Sequence, residues 1–363
     1  MLTSGIIGLP MSGKTTVFNL VTGAGVQTSR YLSGRADTNA AAAAVPDQRV
    51  DFLSALYAPR KTTYAQVQFS DVPGLVKGAS KGEGVGNQFL EGIRSADLLV
   101  HVVRAFEAGD VIHVDGSIDP VRDVETVDLE LLLSDMALLG RRIRRIEGGK
   151  KITRENETET ELIRRCLSSL ENAVALQDVD LTADERATFQ TFNLLTEKPV
   201  VLAVNIDEAQ LKACSYPGKD RLDELAAERG LRMIEVCGRA EMEIAQLRAG
   251  DRELFMADLG IDKLGVDRLI QAAYETLGLI SFFTVGADEV RAWTVGRGTD
   301  ARRAAGKIHT DIERGFIRAE VTRYSDLAGL GSMVKVKEKG LARLEGKDYV
   351  VQDGDIIDFR FNV

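Results

Sequence analysis

The segment Gly8-Leu-Pro-Met-Ser-Gly13-Lys14-Thr15 constrains this chain more than any other. It fits GxxxxGK[ST], follows an apolar run at Ser4–Gly8 and opens a helix-like run at Thr15–Val21, the strand–loop–helix context that motif needs. Its glycines let backbone N–H groups wrap a β-phosphate, and the helix N-terminus that follows faces the anion. Met11, Ser12, Gly13, Lys14, Thr15 and Thr16 are therefore the expected phosphate-binding residues. Lys14 is placed to bridge β- and γ-phosphates, and the Thr15 hydroxyl to ligate Mg²⁺. The motif demands an α/β fold with a parallel sheet. Short apolar runs at Ser4–Gly8, Ala65–Ser70, Asp97–Arg104, Val200–Asn205 and Arg232–Cys237 agree, since helical patterns separate them.

Further segments fall where such a sheet would use them. Asp71-Val-Pro-Gly74 follows a strand. Asp71 there can hold magnesium through water, and the Gly74 backbone N–H can face a γ-phosphate. The next residue is Leu75, where many GTPases carry a glutamine that orients the attacking water; leucine cannot do so. Asn205-Ile206-Asp207-Glu208 follows the buried run Val200–Val204, where a base-recognition loop belongs. A guanine-specific loop would read Asn-Lys-x-Asp. Here Ile206 replaces the lysine, and Glu208 is one methylene longer than the acid. Asn205 can still bond N7, which both purines have. The guanine contact is thus in doubt and ATP becomes plausible; an ordinary surface turn is the plainer reading of the same tetrapeptide. Cys237 and Gly238, after the next strand, are expected to contact the base edge through their backbone. His113 lies in a loop after a strand whose end faces the nucleotide. It is a candidate for positioning the water that Leu75 cannot, with a packing histidine as the equal alternative. His101, in the middle of an apolar strand, reads as a core residue.

Leu129, Leu132, Met136, Leu139, Ile143 and Ile146 form a heptad seam, and Ile163, Leu167, Leu170 and Val174 supply a partner with the same rhythm. Gly148-Gly149 reads as the turn between them. An antiparallel helical coiled-coil arm at 121–196 is therefore expected inside a nucleotide domain built from 1–120 and 197–280. The arm tip is basic (Arg141, Arg142, Arg144, Arg145, Lys150, Lys151, Arg154). A solvated face balanced by Glu155, Glu157, Glu159 and Glu161 is slightly favoured over a phosphate-backbone contact. From 281 to 363 the pattern changes to a small α+β module. Strands are expected at Val290–Val295, Ala319–Thr322, Tyr349–Val351 and Ile356–Phe361, with a helix at Asp300–His309. Ala40–Ala44 is a low-complexity patch.

The formal net charge of −9 argues against a protein that coats nucleic acid, and no DNA partner is expected. No apolar run approaches a membrane span, and the N-terminus has no basic region of the kind a signal peptide carries. Cys166, Cys214 and Cys237 lack metal-ligand spacing, as in a reducing cytoplasm.

Taken together, GLPMSGKTT, the run DVPGLVKGASKGEGVGNQFL from Asp71 to Leu90, NIDE, and the C-terminal strings EVRAWTV, AAGKIHTDIERGFIRAEV and EGKDYVVQDGDIIDFRFNV resemble the YchF subfamily of Obg-related P-loop ATPases. The likeness spans nearly the whole chain. It implies a split nucleotide domain, a helical arm and a C-terminal TGS domain of ubiquitin-like β-grasp shape. It implies Mg²⁺ and a preference for ATP over GTP tied to Asn205 and Glu208. It also implies a hydrophobic residue in place of the catalytic glutamine, as at Leu75, and ribosome association, with the large subunit and rRNA as expected contacts. Arg302, Arg303, Lys307, Arg314 and Arg318 would then be an RNA-facing patch; on the residues alone, the interspersed Asp300, Asp311 and Glu313 equally read as an ordinary mixed surface. Two departures stand out. The family usually has Asn-Val where this chain has Met11-Ser12. Its magnesium-binding switch threonine falls on Arg35, so Thr38 is the nearest hydroxyl. The leading expectation is a slow ATPase switch; an Obg-type GTPase and a nucleotide-binding scaffold with negligible hydrolysis are the rivals.

Overall fold

The computed structural model describes residues 2–26, 39–72, 74, 75, 78, 85–109, 113–149 and 153–362. In chain order the first elements are β1 (Thr3–Ile7), α1 (Lys14–Thr22), β2 (Asn39–Ala44), α2 (Gln48–Tyr57), β3 (Lys61–Thr63), β4 (Gln66–Asp71), α3 (Val85–Arg94), β5 (Leu98–Arg104), α4 (Pro120–Glu147), α5 (Arg154–Glu171), α6 (Ala183–Phe189) and β6 (Val200–Asn205). Next come α7 (Glu208–Ala213), α8 (Lys219–Glu228), β7 (Arg232–Val236), α9 (Gly238–Gln246), α10 (Ala249–Asp258) and α11 (Gly265–Thr276). The chain closes with β8 (Leu279–Val285), β9 (Glu289–Gly296), α12 (Ala301–Ile308), α13 (Thr310–Arg314), β10 (Phe316–Arg323), α14 (Tyr324–Leu330), α15 (Met333–Glu338), β11 (Arg343–Glu345) and β12 (Asp355–Phe361). Two compact units result, Met1–Ala41 with Gln68–Leu269, and Ala42–Val67 with Ile270–Val363.

The first unit is built on a sheet of order β2-β4-β1-β5-β6-β7. β1 lies parallel between β4 and β5, and β5, β6 and β7 continue in parallel. Every residue of β5 is buried, including His101, as expected for a central parallel strand covered on both faces. Burial lowers the His101 pKa to about 3, so it is a neutral core residue. The carboxyl ends of β1, β4, β6 and β7 deliver, in turn, the Gly8–Thr16 loop, Asp71, Asn205 and Cys237 to one edge of the sheet. That is the edge at which open α/β sheets bind ligands.

Four sequence readings change. Ala40–Ala44 is part of strand β2, although alanine favours helix; pairing beside β4 overrides the propensity. Residues 42–67, read with the nucleotide domain, cluster with the C-terminal unit. There β3 pairs with β9, and the Arg49 guanidinium on α2 grips Asp353 at 2.8 Å. Tyr349–Val351 is no strand but contributes an isolated bridge from Val350 to Asp300. The arm seam is the fourth. α4 and α5 form the hairpin, and Leu132, Leu139, Ile163, Cys166 and Leu170 pack together with Met136, Ile143 and Leu167 against them. However, α5 stops at Glu171 and Ala173 takes a left-handed turn, so Val174 leaves the helix. Leu129 on α4 is 53% exposed and Val174 is 40% exposed.

The second unit holds a sheet of order β11-β10-β12-β8-β9-β3 around α12. β12 runs parallel to β8 and antiparallel to β10, the mixed arrangement expected of a β-grasp module. Among the described residues no helix is long and apolar enough to cross a membrane.

Candidate functional site

The loop between β1 and α1 owes its shape to two glycines. Gly8 sits at φ +146°, where a Cβ would lie 2.3 Å from the Val102 carbonyl oxygen. Gly13 sits at φ +96°, where a Cβ would lie 2.2 Å from Asn205 Nδ2. Neither site admits a side chain. Met11 also has positive φ, at 63°, which strains a residue with a Cβ by about 1–2 kcal/mol. Asparagine tolerates that region better, so the strain falls on one of the two loop positions where this sequence departs from its resemblance.

Lys14 is buried and donates to the Leu9 carbonyl at 2.8 Å. Burial lowers its pKa to about 8, against the opposing pull of Asp71. Thr15 Oγ1 donates to Asp71 Oδ2 at 2.9 Å, while Asp71 Oδ1 is buried with no hydrogen-bond partner among the described residues. Burial raises the Asp71 pKa; the Thr15 bond and Lys14 oppose it. A Cβ on Gly74 would meet Pro10 Cα at 3.0 Å and Lys14 Nζ at 3.1 Å, so this glycine lies directly against the loop and its lysine. Strands β1 and β4 thus bring Lys14, Thr15, Asp71 and Gly74 into one cluster.

Asn205, at the end of β6, stitches the two loops together. Its Nδ2 donates to the Ser12 carbonyl at 3.1 Å, and its Oδ1 accepts from Gly238 N at 3.2 Å. One amide hydrogen remains for a ligand. Gly238 also faces Thr16, whose Cγ2 would lie 3.3 Å from an added Cβ. Ile206 is buried. Asp207 caps α7 by accepting from Gln210 N at 2.8 Å, which leaves Glu208 as the first helical residue. The half-buried Glu208 carboxylate has no hydrogen bond or ion pair among the described residues.

Sequence reasoning missed Glu241, the residue that holds the last loop in place. It is 2% exposed and accepts from Cys237 N at 3.0 Å, Gly265 N at 3.1 Å and Val266 N at 2.8 Å. Its signal was an acid one helical turn after Cys237, where it can reach back to the start of α9.

Comparisons with known proteins cover the whole chain. A family model described as "50S ribosome-binding GTPase" matches residues 3–134. A YchF-GTPase C-terminal model, described as a protein of unknown function, matches residues 279–362. The chain is 43% identical over 364 residues, with full coverage of both chains, to a Bacillus subtilis protein named ribosome-binding ATPase YchF. The chain belongs to the YchF family. An Escherichia coli O157:H7 member of the same name is 41% identical over 99% of both chains. The solved structure of the Schizosaccharomyces pombe YchF GTPase superposes with TM-score 0.84 at 29% identity, covering 99% of this chain and 97% of that one.

Two features of this member stand out beside that membership. Leu75 is fully buried in the core with Ile7, Leu9 and Phe89, so it is turned away from any attacking water. His113 is buried too. Its Nδ1 accepts from Asp115 N at 3.1 Å, which leaves Nε2–H to donate to Asp123 Oδ2 at 2.8 Å. Thr38 and Arg35 lie outside the described residues.

The low Lys14 pKa gives a testable pH dependence. Below about pH 8 the free site is already charged, and phosphate binding needs no proton. Above it, binding must draw one in, so ATP affinity is expected to fall about tenfold per pH unit. Titration calorimetry at pH 7 and pH 9, in two buffers of different ionisation enthalpy, should show uptake of about one proton at the higher pH only.

Proposed function

We propose that this chain binds Mg-ATP, hydrolyses it slowly and reports the nucleotide state to a ribosome. The observation that carries the adenine reading is the base loop. The lysine position of a guanine loop is a buried isoleucine, Ile206, and Glu208 presents a carboxylate with no hydrogen bond or ion pair among the described residues. Asn205 keeps one amide hydrogen for purine N7, and Cys237 and Gly238, whose own N–H groups are taken by Glu241 and Asn205, would pack along the base edge. The names of the bacterial relatives, ribosome-binding ATPase, support the same reading.

The donor set fits magnesium. Thr15 Oγ1 and the Asp71 carboxylate, one of whose oxygens is a buried orphan, would hold the ion, directly and through water. When bound, it would neutralise charge on the β- and γ-phosphate oxygens. Lys14 would exchange the Leu9 carbonyl for those oxygens, and the Gly13 to Thr16 amides would cradle the β-phosphate. Thr38, which lies outside the described residues, would be a third ligand.

With Leu75 buried, the water needs another partner. His113 is the candidate assigned to it: Asp123 fixes the ring and its tautomer, and Nδ1, which accepts from Asp115 N, would have to give up that bond to engage the water. His113→Ala is expected to lower single-turnover hydrolysis about 100-fold with nucleotide affinity unchanged. Unchanged turnover would leave His113 a packing residue and favour the scaffold with negligible hydrolysis.

The proposed parts are a nucleotide domain (1–120 and 197–280, of which 42–67 and 270–280 cluster with the C-terminal unit), the helical arm (121–196) and a TGS domain (281–363). Switch and arm are joined. Gly78 N donates to Glu130 Oε1 at 2.6 Å on α4. Arg94, at the end of α3, donates to Asp135 Oδ1 at 3.0 Å and Ser134 Oγ at 2.7 Å. At the arm tip Arg142 is paired with Glu159, whereas Arg141, Arg144 and Arg145 are exposed without an acidic partner among the described residues. These support an rRNA contact, on the large subunit in keeping with the "50S" of the matching family model. A cytoplasmic site of action follows from that partner.

The deciding experiment is equilibrium binding of labelled ATP and GTP with and without Mg²⁺. Tighter ATP binding, weakened by Glu208→Ala, is the expected result. Tighter GTP binding would make the chain an Obg-type GTPase, the activity stated for the fission-yeast relative.

A further inference from the structure

The base of the helical arm is an open apolar cleft with an acidic mouth. It has a volume of about 510 Å³ and lies between α4, the segment after α5 and the start of β6. Its walls include Leu132, Leu195, Val200 and Leu231, and its mouth carries Leu129 and Val174. Those two residues are the first rung of the arm's heptad seam. The rung is unfilled because α5 ends before reaching it, while α4 runs on in helical register beneath. What is missing opposite Leu129 is one apolar side chain at helical spacing.

The polar groups at the mouth define the occupant further. Asp128 is satisfied by Arg229. At the floor, the Lys198 ammonium donates to the Arg94 carbonyl at 2.9 Å and to the Ala96 carbonyl. Glu125 lies one helical turn before Leu129, and Asp178 lies across the mouth. Both are exposed, and neither has an ion-pair partner among the described residues.

We propose that this cleft is a docking site for a basic amphipathic helix of a partner protein. The helix would set leucine-like side chains into the seam beside Leu129 and Val174, and lysine or arginine against Glu125 and Asp178. The inference does not depend on which nucleotide the chain binds.

The test uses the full chain and a fluorescein-labelled helical peptide of leucines at heptad spacing with lysines elsewhere. The same leucine pattern with glutamates, and a scrambled leucine–lysine peptide, are the comparators. Fluorescence anisotropy should show binding of the basic amphipathic peptide alone. Leu129→Asp and Val174→Asp should each weaken it at least tenfold, as should the paired change Glu125→Lys with Asp178→Lys. The paired change touches only exposed side chains, so it holds the test even where an aspartate at the cleft disturbs the fold. Equal binding of the scrambled or the acidic peptide, affinity unchanged in these variants, or no binding at all would overturn the proposal. A concentration-dependent dimer in ultracentrifugation that disappears in Leu129→Asp would also overturn it, because the occupant would then be a second copy of this chain.

Discussion

Lys14→Met is expected to reduce ATP turnover by about 10²–10³-fold while making the nucleotide-free protein more stable. The two effects have one cause. Folding buries the Lys14 ammonium and drags its pKa from 10.5 to about 8, with the Leu9 carbonyl as its hydrogen-bond acceptor among the described residues and Asp71 as a nearby charge. That shift corresponds to about 3 kcal/mol of discrimination against the charged form. Phosphate oxygens would relieve the penalty in the bound state, and methionine would relieve it permanently. The variant keeps the aliphatic stem and fills nearly the same space, so a gain of about 1–3 kcal/mol in the free protein is expected. Thermal melts with and without Mg-ATP separate the parts. The free variant should melt higher than the parent, and the nucleotide-induced rise seen in the parent should vanish. A variant that melts lower than the parent would show that Lys14 carries a structural load beyond its bond to Leu9.

Glu241→Ala should be among the most damaging single changes to the first unit. Removal of the carboxylate strands three buried N–H groups, those of Cys237, Gly265 and Val266. Each unsatisfied donor costs about 1–3 kcal/mol, and solvent reaching the gap recovers part of it, so a net loss of about 3–5 kcal/mol is expected. Glu241→Gln keeps the shape but turns an NH₂ toward one of the donors, and should fall roughly midway. Amide hydrogen exchange at Cys237 and Val266 reads the effect locally, which matters in a chain of two units. Because Gly238 N is one of Asn205's two bonds, the same change should weaken nucleotide binding as well. A stable variant with slow exchange at these amides would mean that the loop is held by its neighbours.

The parts of this molecule legible in sequence are those where local chemistry leaves little choice. Gly8 and Gly13 can hold no side chain, and the all-buried run of β5 can only be a covered strand. The parts that were not legible depend on partners distant in sequence. Five alanines became a strand because β4 offered an edge, against their own helical preference. Residues 42–67 left the nucleotide domain because β3 found β9, far along the chain. The heptad pattern was real, yet it could not reveal that Ala173 turns left-handed before the last rung. Glu241 was invisible because its three partners are backbone N–H groups, which a sequence does not distinguish. For Asn205 the residue type suggested a base contact, whereas the fold also uses its amide as a cross-link between two loops.

Treated as a rigid rod hinged at one of its two tethers, α4 would act as a lever. Arg94 holds the helix at Asp135, and the Gly78 N–H bond to Glu130 lies five residues earlier. At 1.5 Å per residue Glu130 lies about 7.5 Å from Asp135, and Glu147 at the tip about 18 Å on the other side. A displacement of about 1 Å at Gly78 therefore swings the arm tip by about 2.4 Å in the opposite direction if the helix stays rigid. The gain is set by where the glutamate and the aspartate sit in the sequence of α4. Moving the Glu130 carboxylate one turn toward the tip would bring it almost onto the fulcrum and leave the input with hardly any leverage.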